Sequence, residues 1–163
     1  PWLFVNLLTA FLTSFVISQF DNTIAHIITV ASIMPIVASM GGNAGTQTAT
    51  ITIRALATKD LTSLNAMRVV IKEILTNSLN GIFLGLIGFI ILFLLHNSLG
   101  LSSIFALSVI INFTMAGLCG SLLPLLLNKI KIDPALASSI FLTALTDTLG
   151  FFTFLALVTL ILL

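Results

Sequence analysis

Asp147 is a lone carboxylate within the otherwise apolar stretch 135–163. An ionised side chain at the centre of a bilayer costs at least ~2.5–3.5 kcal/mol on insertion scales, so it needs a partner, and the least costly partner for an inward-facing carboxylate is a cation. On a helix, Thr143 falls one turn before Asp147 on the same face and Gly150 one turn after it, with Thr146 and Thr148 on either side. Hydroxyl oxygens beside a glycine that bares backbone carbonyls make a hard, oxygen-rich lining. Such a lining suits a hydrated divalent ion of the Mg²⁺ type, which keeps several waters and takes one or two carboxylates. The competing reading is an Asp tied by hydrogen bonds to a Thr or Asn of a neighbouring helix.

A second constellation is Met34-Pro35 followed by Gly41-Gly42-Asn43-Ala44-Gly45-Thr46-Gln47. A proline and closely spaced glycines weaken a helix in lipid, which is tolerated only where freed backbone faces protein or a water-filled cavity. Beyond this break Asn43, Gln47, Thr50 and Arg54 recur at helical spacing, with Thr46 alongside. They form a polar stripe that ends in a basic residue. Close helix packing by small residues, glued by Asn and Gln, is the alternative.

Other features carry less. Gly81, Gly85 and Gly88 mark a small-residue packing face, and Asn6, Thr9 and Thr13 a polar stripe suited to helix–helix contact or to a pore wall. His26 and His96 are both expected near outer interfaces, where an amphipathic ring is at home, and are too isolated to make a metal site. Glu73 reads as an interfacial ion-pair partner of Lys72 or Arg68. The single cysteine, Cys119, lies between Gly117 and Gly120 and excludes a disulfide framework.

These residues need long apolar helices to hold them. Hydrophobic residues make up 58% of the 163-residue chain and charged ones 7%, against roughly 25% charged in a soluble domain. Mean hydropathy is +1.24. Backbone groups in lipid must be satisfied internally, and continuous apolar runs without period-two alternation favour helices over a barrel. The runs predict an all-α polytopic membrane protein, one domain over 1–163, with five transmembrane helices at about 2–20, 24–56 (broken near 35–42), 67–95, 102–127 and 135–163. Asn22 or Thr23 would cap the second helix; Asp133-Pro134 supplies an N-cap and a first-turn proline for the last. Residues 57–72 read as a polar connection carrying a short surface helix. All six basic residues (Arg54, Lys59, Arg68, Lys72, Lys129, Lys131) fall in or beside two connections that share one face. The positive-inside rule makes that face cytoplasmic, so the N-terminus is expected inside and the C-terminus outside. A net charge of +1 without a basic, aromatic-interleaved stripe points away from nucleic acid. The opening at Pro1, with neither an initiator Met nor a signal pattern, reads as a segment of a longer protein.

With GGNAGTQ in a Pro-containing helix and Thr146-Asp147-Thr148-Leu149-Gly150 in the last one, the chain resembles the MgtE family of magnesium channels and transporters. The opening Pro1-Trp2-Leu3, Asp133-Pro134-Ala135-Leu136-Ala137-Ser138 and the helix plan fit as well. The resemblance implies a homodimer in the bacterial inner membrane whose second and fifth helices line a central pathway. Asp147 from both subunits would then flank one Mg²⁺, helped by the backbone carbonyl of Thr143. Gly41, Gly42, Asn43, Gly45, Thr46, Gln47, Thr146 and Gly150 would contribute to the pore and its cytoplasmic narrowing. It also implies cytoplasmic regulatory domains upstream of Pro1, which this chain does not contain.

The function expected is a Mg²⁺ channel passing a hydrated ion; oxygen ligands also admit Mn²⁺, Co²⁺ or Ca²⁺. The alternative is a secondary-active carrier in which Asp147 exchanges the divalent ion for H⁺ or Na⁺, although no inverted repeat or second intramembrane acid supports it. An enzyme is not expected, since the spans offer neither a carboxylate pair nor a Ser/His pair at one depth.

Overall fold

A computed structural model describes residues 2–61 and 65–163; the surface helix expected within 57–72 falls partly outside them. Among the described residues six helices follow in order: α1 Trp2–Ser18, α2 Asp21–His26, α3 Ile28–Ala57, α4 Ala66–His96, α5 Leu99–Lys129 and α6 Pro134–Leu162. Four of them, α3 to α6, are long and apolar enough to cross a membrane. α1, at 17 residues, falls just short of the length that spans the hydrocarbon core upright.

The ends follow local chemistry. Asp133 accepts a hydrogen bond from the Ala135 backbone N–H at 2.9 Å, and Pro134 opens α6 as expected. Between α4 and α5, Asn97 takes the left-handed conformation (φ 50°) and Ser98 caps α5 by accepting from Leu101 N–H. Neither Asn22 nor Thr23 caps a helix. Thr23 is buried instead, its hydroxyl 2.7 Å from that of Thr159 on α6.

The break expected near 35–42 is displaced. α3 runs unbroken through Pro35, Gly41 and Gly42, and the interruption lies earlier, at Ile27 (φ −128°, ψ 78°). Pro35 removes one backbone donor, but packing on two sides outweighs that loss, and the helix continues.

α5 is the central element. Its small and polar residues let α3, α4 and α6 approach closely, the usual device where apolar burial does not favour one helix neighbour over lipid. A methyl on Gly120 would meet the Gly45 carbonyl at 2.7 Å, and one on Gly81 would meet Phe113 Cβ at 2.8 Å. The register places Gly41 beside Asn112 and Gly120 beside Gly45, so α3 runs parallel to α5. Gly150 beside Ala38 and Gly45 beside Leu142 make α3 antiparallel to α6. The ends of α3 and α5 and the starts of α4 and α6, with their basic residues, therefore share one face.

α1 packs chiefly on α6 and runs parallel to it, joined by a Thr13–Thr148 hydroxyl pair at 2.8 Å and followed by a Phe20–Phe152 edge contact. Its remaining surface (Leu3, Phe4, Leu7, Phe11, Phe15) is exposed and apolar. Thr13→Val should lower stability by only about 0.6 kcal/mol, the mean for interhelical hydrogen bonds in membranes, and a thermal melt in detergent would check it. A loss several times larger would give that pair a role beyond anchoring α1.

Candidate ion-binding groove

α3 and α6 leave between them an open groove of about 370 Å³, lined by Pro35, Ser39, Gly42, Asn43 and Thr46 from one side and Thr143, Asp147 and Phe151 from the other. Asp147 lies 13 residues from the start of α6 and 15 from its end, roughly 20 Å from either, so it sits near mid-span. A methyl built on Gly42 would stand 3.8 Å from Asp147 Oδ1. The missing side chain at Gly42 is what keeps the groove open at the carboxylate.

The two threonines flanking Asp147 are engaged elsewhere. Thr146 is buried and donates to the Leu142 carbonyl at 2.9 Å, while Thr148 pairs with Thr13. No hydrogen bond or ion pair reaches the Asp147 carboxylate from any described residue. The competing expectation, an Asp tied off on a neighbouring helix, is not what these residues do. Nor do three or more His, Cys, Asp or Glu side chains cluster anywhere among the described residues. One copy of the chain thus offers an ion a single carboxylate and a wall of neutral oxygens.

Helical phase divides the sequence-predicted positions. Asp147, Thr143, Gly42, Asn43 and Thr46 face the groove. Gly41 and Gly150 turn inward against Asn112, Gly45 against Leu142, and Thr146 into the bundle. Gln47 lines a neighbouring groove. The stripe drawn through Thr143, Asp147 and Gly150 continues to Phe151 instead: Phe151 at i+4 and Gly150 at i+3 lie on opposite sides of Asp147 around the helix, and the Gly150 side is the one packed on Asn112 and Ala38. Pro35, Ser39 and Phe151 were not anticipated, although each lies four or eight residues from a predicted lining residue.

Asn112 is another residue that pattern reading passed over. It is 1% exposed at the α3–α5–α6 junction, and its Nδ2 donates to the Val37 carbonyl at 2.9 Å. Its Oδ1 has no partner among the described residues. Gly41 and Gly150 make room for this amide, which wedges α3 and α6 at the level of the groove. Glu73 also departs from expectation. It is buried on the α4 face that carries Val70 and Asn77, and makes no ion pair with a described residue. Arg68 and Lys72 are five and one residues away, offsets that do not share a helix face.

Apolar helices of spanning length around an oxygen-lined mid-depth groove define a multi-pass membrane protein. The sequence profile of the MgtE family, described as a divalent cation transporter, matches residues 34–157, and the chain belongs to that family. It is similar to proteins named magnesium transporter MgtE from Enterococcus faecalis (33% identical over 147 residues, 90% of this chain and 32% of the relative) and Thermus thermophilus (33% over 167 residues, 99% and 36%). A third, from Bacillus subtilis, is 28% identical over 150 residues, 92% of this chain and 33% of the relative. The chain spans about a third of the length of these curated relatives.

Proposed function

We propose that this chain forms the conducting part of a Mg²⁺ channel, in which a largely hydrated ion passes along the α3–α6 groove and is held transiently at Asp147. The observation that carries this reading is the unpaired Asp147 carboxylate opening on an oxygen-lined groove at mid-depth. A bare charge facing lipid would be unfavourable by several kcal/mol, so the open side of the groove must meet water and a covering surface. A second copy related by a two-fold axis supplies both: it closes the groove and doubles the carboxylates. The homodimer, α1 as a fifth span, and the basic face as the cytoplasmic one belong to this proposal, as do regulatory domains in the part of the relatives that this chain does not match.

Magnesium is the ion the relatives are named for, and the groove's chemistry agrees. Neutral oxygens and one acid per copy suit outer-sphere contact with bound waters, binding that is weak enough for release. An inside-negative potential drives a divalent ion inward with ~4.6 kcal/mol per 100 mV, twice the monovalent value. The coupled-carrier reading differs in what drives transport. In liposomes containing the full-length protein, Mg²⁺ entry should follow the imposed potential with equal pH and no Na⁺ on either side. Entry that stops unless a proton or Na⁺ gradient is supplied would assign the protein as a carrier.

A further inference from the structure

On the other flank of α3 lies a second groove, of about 280 Å³, into which four amides converge: Asn43 and Gln47 from α3, Asn77 and Asn80 from α4. Met40, Ala44, Leu84 and Phe113 complete it. Asn77 is buried, and its Nδ2 donates to Thr48 Oγ1 and to the Glu73 carbonyl, both at 2.9 Å. Asn43, Gln47 and Asn80 are exposed, and none makes a hydrogen bond to a described residue.

Their depth makes this consequential. Asn80 is 14 residues from the start of α4 and 16 from its end, roughly 21 and 24 Å, far from either interface. An amide without a partner in hydrocarbon costs about 4–8 kcal/mol on the water-to-cyclohexane scale. Beyond Asn80 and short of the terminal His96, the exposed residues of α4 are the Leu, Ile and Phe that lipid requires (Ile82, Phe83, Leu86, Ile90), while Thr76 is exposed one turn before it. Three unpaired amides, two from α3 and one from α4, gathered into one pocket at that depth need water there. The volume suffices: six waters at about 30 Å³ each occupy roughly 180 Å³, the shell of one hexahydrated ion.

The groove adjoins the first across α3. Asn43 lines both. Gln47 is five residues beyond Gly42, roughly 7.5 Å nearer the basic end than the level of Asp147. Glu73, buried and without an ion pair among the described residues, follows one turn beyond Asn77 in the same direction.

We propose that this groove is a second, carboxylate-free station, where amide oxygens accept hydrogen bonds from the water shell of a divalent cation that has left Asp147. The amides add no charge, so the ion is held more weakly than at Asp147 and moves on toward the basic face. The inference rests on the pathway proposed above.

Thiol accessibility tests it in sealed inverted vesicles containing the full-length protein with Cys119→Ala. Asn80→Cys and Gln47→Cys, each alone, should react with a charged methanethiosulfonate at least ~10-fold faster than Phe83→Cys, whose site faces lipid, because only a wet thiol ionises. Mg²⁺ should slow the reaction several-fold, whereas Na⁺ at matched ionic strength should not. Reaction as slow as at Phe83→Cys, fast reaction indifferent to Mg²⁺, or a disulfide between two copies of Asn80→Cys (the groove filled by a second chain) would each overturn the station. Asp147→Asn in the same vesicles separates the two readings. Surviving flux sinks the pathway itself, whereas lost flux with unreactive thiols sinks the amide station alone.

Discussion

Asp147→Asn is expected to reduce divalent-cation flux at least ~100-fold, equivalent to about 2.7 kcal/mol of lost stabilisation for the passing ion, while the helices remain assembled. The exchange keeps shape and volume and removes only charge. A divalent ion roughly 5 Å from one carboxylate gains a gross ~7 kcal/mol at an effective dielectric of 20, much of it offset by lost hydration, and a two-fold axis would double both terms. Asn supplies none of that attraction. Folding should move the other way. An amide is cheaper than a carboxylate in the bilayer, so the melting temperature of the variant should equal or exceed that of the parent. Mg²⁺-sensitive dye in liposomes and a melt in detergent measure the two quantities separately. Normal flux would remove Asp147 from the pathway, and lost flux with lost assembly would make it a structural residue.

Gly41→Ala and Gly42→Ala, adjacent in sequence, should fail in different ways. At Gly41 a methyl would overlap the amide of Asn112, including its Cγ at 2.5 Å. Asn112 is buried and already bonded to the Val37 carbonyl, so yielding means breaking that bond inside the bundle. Overpacking at about 1–3 kcal/mol and an unsatisfied buried amide at about 1–3 kcal/mol together suggest a loss of about 2–6 kcal/mol, with less folded protein and whatever flux the survivors carry. At Gly42 the nearest atoms are Thr146 Oγ1 at 3.7 Å and Asp147 Oδ1 at 3.8 Å, ordinary contact distances. Stability should hold within about 0.5 kcal/mol, while the methyl narrows the groove at its carboxylate and lowers flux per folded molecule. A melt and a flux assay on both variants give the comparison. Equal stability in the two would mean that Asn112 is not the wedge described above.

How far the sequence revealed this site depended on what each residue needed from elsewhere in the chain. Asp147 was conspicuous because one charge in 29 apolar-rich residues has few explanations. Asp133-Pro134 and Asn97-Ser98 were equally plain, since capping is local chemistry. Pro35 misled, because a proline weakens an isolated helix but does not end one that is supported on two sides. The actual interruption, at Ile27, has no local mark, and Thr23 bonded to Thr159 far along the chain helps to hold that turn. The inward turn of Gly41 and the outward turn of Gly42 depend on which neighbour α5 and α6 present, which no window on α3 contains. Asn77, Asn80 and Asn112 were visible as amides within apolar runs. Their roles came only with partners 29 or 75 residues away, or with a shared groove.

The pairing of α1 with α6 has a consequence for how the molecule is made. Thr13 meets Thr148, 135 positions later, and α1 packs chiefly on α6. At about 5–20 residues per second, roughly 7–27 s of synthesis separate the two. Throughout that interval α1 lacks its main neighbour among the described residues and must be minded by the insertion machinery or left adrift among lipids. The bundle cannot close from α1 onward; the ribosome completes it by delivering, in a single stretch, both Asp147 and the docking wall for α1.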